Sequence, residues 1–312
     1  MQPKIAVVGS LNMDYVVNVV RRPEAGETVL ADGLRLVPGG KGANQACTIG
    51  KMGAEVLMFG AVGQDSNGDA LLTSLQTAGV DTRYIWRIDK PTGVAFIYVD
   101  KSSDNCIVVI QGANAAVGRD YTDKNIEALQ SCDVVIFQLE IPLDTVTYAA
   151  QKLSAAGKTV ILDPAPAPGP LPTELLRNVT YLKPNETELA ILSGCSSNEV
   201  EAACAQLFQQ GASSILVSLG KNGSYFAKRG SAGFYTPAEK VEAVDTTAAG
   251  DSFTAAFAYA VSMGKPERDA IRFATTIAAV VVQRDGAQTS IPDKEEIQKI
   301  WHHCFCERKD FL

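Results

Sequence analysis

Short, β-branched and nearly continuous apolar runs alternate along the chain with longer stretches whose apolar residues recur at helical spacing. The first kind occupies residues 5–8, 56–59, 134–137, 160–162, 181–183 and 215–218, and the second residues 42–52, 68–78, 143–156, 186–192 and 200–209. Strands that are apolar on both faces need cover on both faces, and intervening helices supply it. The pattern therefore predicts a parallel sheet in an α/β domain. Two regions break the rhythm. Residues 12–38 and 92–111 hold strand-like segments at 15–20, 28–30, 94–99 and 105–110 with no helix between neighbours, the last two joined by Asp100-Lys101-Ser102-Ser103-Asp104. They predict a small antiparallel sheet inserted as a lid into one domain spanning residues 1–312. After about residue 249 the strands stop, and helical runs follow at 249–263 and 266–282.

Composition removes several function classes. The 312 residues are 46% hydrophobic and carry a net charge of −7, which offers no basic face for displacing counterions from nucleic acid. The longest apolar run, 255–261, falls far short of the ~20 residues of a bilayer span, so no membrane partner is expected. The opening Met-Gln-Pro-Lys-Ile-Ala-Val-Val-Gly reads as a first strand and not as a signal peptide. Seven cysteines without paired spacing fit a reducing, cytoplasmic location. The only histidines, His302 and His303, leave no histidine triad or histidine-rich metal centre for the body of the chain. Their neighbours Trp301, Cys304 and Cys306 follow no zinc spacing.

The densest chemical signal is Asp245-Thr246-Thr247-Ala248-Ala249-Gly250-Asp251, which leads into a helical apolar run. Small residues at a helix start leave successive backbone amides unobstructed at the positive end of the dipole, an arrangement that suits a phosphate. Asp251 falls in the first turn, where a carboxylate is also an ordinary helix-start residue. A second small-residue loop, Pro38-Gly39-Gly40-Lys41-Gly42-Ala43-Asn44-Gln45-Ala46, is neither a Walker loop nor a GxGxxG turn, which disfavours an NAD-linked dehydrogenase. Gly9-Ser10-Leu11-Asn12-Met13-Asp14 puts polar side chains at the carboxyl end of the first strand, the edge at which open α/β sheets bind ligands. Asn185 followed three residues later by Glu188 is a capping-box pattern.

These segments, with Gln138-Leu139-Glu140, Pro184-Asn185-Glu186-Thr187-Glu188 and Ser218-Leu219-Gly220-Lys221-Asn222-Gly223, occur in the order and near the spacing of the PfkB family of carbohydrate kinases. The chain resembles that family from about Ile5 to Pro292, and its GGKGAN segment resembles most the branch acting on ribose. The resemblance implies a three-layer α/β/α fold with a mostly parallel central sheet and a small antiparallel β lid. It also implies ATP-dependent phosphorylation of D-ribose at the 5-hydroxyl. Asp251 would be the base, and the amides of Ala248, Ala249 and Gly250 the anion hole. Ribose would be held by Asn12, Asp14, Gly40, Lys41, Asn44 and Glu140. ATP would lie along Ser218, Leu219, Gly220, Lys221, Asn222 and Gly223, near Asn185, Gly250 and Thr275. Glu188 would hold Mg²⁺ through water, and Asp245, Thr247, Val281, Arg284, Gly286 and Ser290 a monovalent cation such as K⁺. Oxygen ligands with one carboxylate suit such an ion better than a transition metal.

The resemblance further implies a homodimer formed through the lid. Two departures stand out. Ala248 occupies a position that is often glycine, and an alanine there implies a right-handed backbone; Ala256 replaces another frequent glycine. The alternatives are a kinase of the same fold for deoxyribose, fructose or adenosine, and a non-catalytic sugar or nucleotide sensor.

Overall fold

A computed structural model describes residues 3–21, 23–31, 33–99 and 105–306. The elements run β1 (Lys4–Val8), β2 (Asn12–Asn18), β3 (Gly33–Gly39), α1 (Lys41–Lys51), β4 (Glu55–Gly63), α2 (Ser66–Thr77), β5 (Asp81–Ile88), β6 (Gly93–Val99) and β7 (Asn105–Ile110). Next come α3 (Arg119–Gln130), β8 (Val134–Gln138), α4 (Leu143–Ala155), β9 (Thr159–Asp163), α5 (Thr173–Asn178), β10 (Tyr181–Leu182), α6 (Glu186–Ser193), α7 (Val200–Gln210) and β11 (Ser214–Ser218). The chain continues through β12 (Ser224–Lys228), β13 (Phe234–Thr236), α8 (Ala249–Ser262), α9 (Glu267–Val281) and α10 (Lys294–Phe305).

The main sheet has the order β13-β12-β11-β10-β9-β8-β1-β4-β5. It is parallel from β5 to β11, and β12 and β13 add antiparallel at one edge. Alternation along β1 shows why both faces are apolar. Ala6 and Val8 enter a core with Tyr121, Val146, Leu175 and Leu207. Ile5 and Val7 enter the opposite core with Ala46, Leu71, Phe257 and Phe273. Helices α3–α7 therefore cover one face and α1, α2 and α8–α10 the other, giving three layers, α/β/α.

The small sheet has the order β3-β2-β6-β7. Its outer pairings are antiparallel, but β2 and β6 run parallel. Each continues outward beyond a parallel strand of the main sheet, β1 and β5 respectively, so both leave in one direction. The expected strand at 28–30 is not formed, and Leu30 stands 89% exposed. Gly33–Gly39 takes its place because it can pair with β2 along its whole length, from Asn12↔Gly39 to Asn18↔Gly33. The polar Asp100–Asp104 turn lies outside the described residues. Pattern reading also omits β5, β12, β13, α3, α5 and α10. β5 and β13 are the edge strands, β12 lies between β13 and β11, and the helices are short or superficial; α3, for example, buries only Tyr121, Thr122 and Leu129.

Candidate active site

The carboxyl ends of β1, β8, β9, β10 and β11 converge with the first turns of α1, α6 and α8. At one end of this edge the chain leaves β1 through Ser10 into β2 and returns by β3 to Gly40, the residue before α1. Gly40 has φ +88°, and a Cβ there would lie 2.6 Å from the Asn12 amide nitrogen, so this tight return requires glycine. The return brings residues far apart in sequence onto the carboxylate of Glu140. Its Oε2 accepts hydrogen bonds from Asn12 Nδ2 at 3.3 Å, from the Lys41 amide at 3.3 Å and from Ser10 Oγ. Asn114 Nδ2 donates to Asn12 Oδ1 at 2.8 Å, fixing which way that amide points. Asp251 accepts at Oδ2 from Asn44 Nδ2 at 2.9 Å and at Oδ1 from Gln45 Nε2 at 3.3 Å. Thus Asn12, Asp14, Gly40, Lys41, Asn44, Glu140 and Asp251 share one region, and Asn12, Asp14, Asn44 and Asp251 are buried.

Its electrostatics stem from burial of unequal numbers of charges. Burial, reinforced by the Glu140 and Asp251 carboxylates, pushes Asp14 up to about 7. Burial raises Glu140 as well, against the opposing charge of Lys41. Burial disfavours the Lys41 ammonium, yet Asp251, Asp163, Glu140 and Glu188 together outweigh it and hold its pKa above the ordinary lysine value. The carboxylates of Asp14, Glu140, Asp163, Glu188 and Asp251 outnumber the ammonium groups of Lys41 and Lys183.

Asp251 lies in the first turn of α8, behind a loop whose backbone departs from expectation. Ala248 has φ +60° and ψ 2°, the left-handed region, and among the described residues it is the only non-glycine with positive φ. The expected right-handed backbone is therefore corrected. Ala248 is buried, and its left-handed turn lets α8 start at Ala249 while Thr246 accepts from the Ala249 amide at 3.3 Å. Such a conformation costs roughly 1–2 kcal/mol, which the surrounding packing must over-determine. Among the described residues the amides of Ala248 and Gly250 donate to no protein acceptor, whereas that of Ala249 closes the turn.

Gly250 and Ala249 line a cavity of about 560 Å³ on the other side of this turn. Asn185, Ser218, Gly220, Lys221, Gly223 and Thr275 line it too, with Val241, Ala243, Phe253, Ala278 and Val282 forming apolar walls. Leu219 and Asn222 are not brought to it: the Leu219 amide donates to Gly223 O at 2.8 Å, and that of Asn222 to Leu219 O at 2.9 Å, so both close the turn. Asn185 and Glu188 form the expected capping box at the start of α6, with reciprocal bonds of 2.8 Å. Burial and the nearby Asp163 carboxylate raise Glu188, against the opposing charge of Lys183.

Of the residues matched to a monovalent cation, Thr247 and Gly286 meet Asp245 directly. Asp245 Oδ1 accepts from the Thr247 amide at 2.9 Å and its hydroxyl at 2.6 Å, and Oδ2 accepts from the Gly286 amide at 3.0 Å. Burial opposes ionisation of Asp245, but these bonds outweigh it and hold the carboxyl below its ordinary value. The side chains of Arg284 and Ser290 are engaged elsewhere, by Glu296 at 2.6 Å and by Ala287 O at 2.7 Å, and the Val281 carbonyl accepts from the Arg284 amide at 3.1 Å.

Several residues at the site carried no sequence signal. Asn114, Asp163 and Lys183 are single buried polar residues at strand ends or in a short helical turn, and Val241 and Ala243 lie in a stretch without periodicity; Gln45 in α1 and Gln138 at the end of β8 belong to motif segments that single out their neighbours rather than these two. Gln138 Nε2 donates to Gln45 Oε1 at 2.6 Å, which turns the Gln45 amide nitrogen toward Asp251 and Asp163.

A family model described as pfkB family carbohydrate kinase matches residues 2–294. A ribokinase of Bacillus subtilis is 39% identical over 95% of this chain and 98% of its own length. A deoxyribokinase of Salmonella typhimurium is 36% identical over 95% of this chain and 97% of its own. The structure of Arabidopsis thaliana ribokinase complexed with ribose and ATP superposes with a TM-score of 0.90 at 35% identity, covering 96% of this chain and 99% of that one.

Proposed function

The chain belongs to the pfkB family of carbohydrate kinases, and on that premise we propose that it transfers the γ-phosphoryl group of ATP to the 5-hydroxyl of D-ribose, giving ribose 5-phosphate and ADP. One observation carries the reading: consecutive residues of a single helix turn serve two compartments. Gly250 lines the open cavity, while Asp251 is bonded by Asn44 and Gln45 in the buried region that also holds Asn12, Asp14 and Glu140. A phosphorus atom in front of the Ala248 and Gly250 amides would thus meet a sugar hydroxyl beside the Asp251 carboxylate. Asp251 accepts the hydroxyl proton; because phosphoryl transfer is largely dissociative, a carboxylate of modest basicity suffices for a late proton transfer. The free amides stabilise charge developing on the phosphoryl oxygens.

Sugar hydroxyls pair with the carboxylates of Asp14 and Glu140 and the amides of Asn12 and Asn44, with Gly40 and Lys41 closing the same pocket. ATP lies along Ser218, Gly220, Lys221 and Gly223 beside Asn185 and Thr275, its base against Val241, Ala278 and Val282. The excess of carboxylates fits a divalent cation: Glu188, through water, would hold Mg²⁺, which neutralises phosphate charge. Asp245, with oxygens from Thr247, Val281, Arg284, Gly286 and Ser290, would hold K⁺ beside the anion hole. The small sheet acts as a lid that excludes water. Leu34, Leu36, Ile107 and Ile110 on its strands are each at least half exposed, which supports a homodimer in which a second copy covers it. The unpaired cysteines support a reducing cytoplasm.

A panel of ribose, 2-deoxyribose, fructose and adenosine with ATP and Mg²⁺, run with and without K⁺, tests the reading. Ribose should lead, since a site built to bond a hydroxyl can reject its absence by up to ~10⁴. The Salmonella deoxyribokinase makes 2-deoxyribose the decisive competitor: turnover within about tenfold of ribose overturns the choice of sugar. Ligand binding without turnover of any sugar would instead make the protein a sensor. A size-exclusion mass of one chain would remove the dimer.

A further inference from the structure

We propose that Lys183 is a further catalytic residue, whose ammonium contacts the phosphoryl group as it is transferred. The inference rests on reading this site as a phosphoryl-transfer centre. Lys183 directly succeeds β10, and its amide donates to Leu162 O at 2.8 Å, which sets it beside Asp163 at the carboxyl end of β9. The residue is 3% exposed. Among the described residues its ammonium makes one charged contact, with Asp163 Oδ2 at 3.7 Å, and no hydrogen bond. That carboxylate oxygen is already occupied by Gln45 Nε2 at 3.1 Å and Thr254 Oγ1 at 3.2 Å. The Glu188 carboxylate also faces this charge, but from beyond ion-pair distance, so a buried ammonium with three donors holds one long ion pair and no hydrogen bond, which points to a further anionic partner.

The position of the ammonium says which partner. Lys183 Nζ lies 3.5 Å from where a Cβ on Gly250 would stand, against the turn that lines the cavity and presents free amides. A phosphoryl group before those amides comes within reach of a fixed positive charge that needs no solvent reorganisation when negative charge develops. The competing account makes Lys183 only a counter-ion for Asp163. Removing both charges together separates the two roles, because a counter-ion loses its purpose once its carboxylate is gone and a phosphoryl contact does not.

The test uses the full chain and calorimetric binding of ADP with and without aluminium fluoride, a mimic of the transferred phosphoryl group, in the presence of sugar and Mg²⁺. For Lys183→Met, ADP alone should bind within about threefold of the parent, while the extra affinity given by aluminium fluoride should fall by about 10²-fold or more, with kcat falling alongside. Asp163→Asn and the double variant Lys183→Met/Asp163→Asn complete the cycle. The proposal expects the double variant to lose about 10²-fold relative to Asp163→Asn alone. Where the single lysine variant does not fold, as judged by thermal melting, this uncharged pair carries the test. Equal fluoride-dependent affinity in Asp163→Asn and the double variant would reduce Lys183 to a counter-ion and overturn the proposal. A parent protein that gains no affinity from aluminium fluoride with any sugar would instead overturn the kinase reading itself.

Discussion

The two ends of the site are built from opposite materials. At the end proposed for the sugar, polar side chains from β2, α1, α8 and the turn after β8 are bonded to one another, as Glu140 with Asn12 and Asp251 with Asn44 show. At the end proposed for the nucleotide an open cavity is lined by glycines, small residues and apolar walls, beside the free amides of Ala248 and Gly250. A small sugar offers little besides hydroxyls, so selectivity there has to come from side chains fixed in place. A nucleotide offers a flat base and phosphates, which apolar surface and main-chain donors can hold. Added bulk should therefore hurt the first end, where bonded side chains are closely packed, and be tolerated at the open second end.

The largest expected effect is at the junction. Asp251→Asn should lower kcat by at least ~10²-fold, the share of a general base, while ribose binding by calorimetry stays within a few-fold. Undiminished turnover would take Asp251 out of the mechanism. Next, Gly40→Ala should lower kcat/KM for the sugar by about 10-fold or more, since its Cβ would sit 2.6 Å from the Asn12 amide nitrogen at φ +88°. Its counterpart Gly220→Ala, at φ +52° with nothing within 4 Å, should cost only about 1 kcal/mol of stability and leave the KM for ATP nearly unchanged. Equal effects from the two would erase the contrast.

Smaller still is a pH effect confined to the sugar end. With Asp14 raised from 3.8 to about 7, the free folded protein keeps a proton there that the unfolded chain gives up. The stability this contributes is fully present below pH 3.8 and is lost as pH rises through 7. Asp14→Asn should consequently melt higher than the parent at pH 8 and remove that part of the slope of Tm against pH between 5 and 8; an unchanged slope would mean that Asp14 stays ionised. The smallest effect belongs to the turn before α8. Ala248→Gly relieves a left-handed alanine but loosens the unfolded chain, so unfolding free energy should rise by no more than about 1 kcal/mol. A loss of several kcal/mol would show that the Ala248 methyl is needed for packing.

Elements whose two faces are both apolar were legible from pattern alone: β1, β8, β9 and β11 sit within a residue or two of their expected bounds. Strands at the ends of the main sheet were not, because the edge strands β5 and β13, and β12 beside β13, mix polar with apolar residues in sequence that only their neighbours turn into strands. The same division runs through the site. Motif residues such as Asn12, Lys41, Asn44, Glu140 and Asp251 could be singled out because several lie in short, glycine-rich or ordered segments. Asp163, Lys183 and Asn114 could not, since a single buried polar residue outside any motif has no periodicity to betray it.

From the sequence alone came the layered α/β plan, the small inserted sheet and the two glycine-rich loops, because hydrophobic period and turn chemistry are local properties that each segment carries with it. The tertiary structure alone decided that the backbone turns left-handed at Ala248 and that β3 begins at Gly33 rather than near residue 28. It alone set a buried ammonium beside Gly250. Each of these is settled by contact between segments distant in the chain, and the energy of such a contact belongs to neither segment until both are packed.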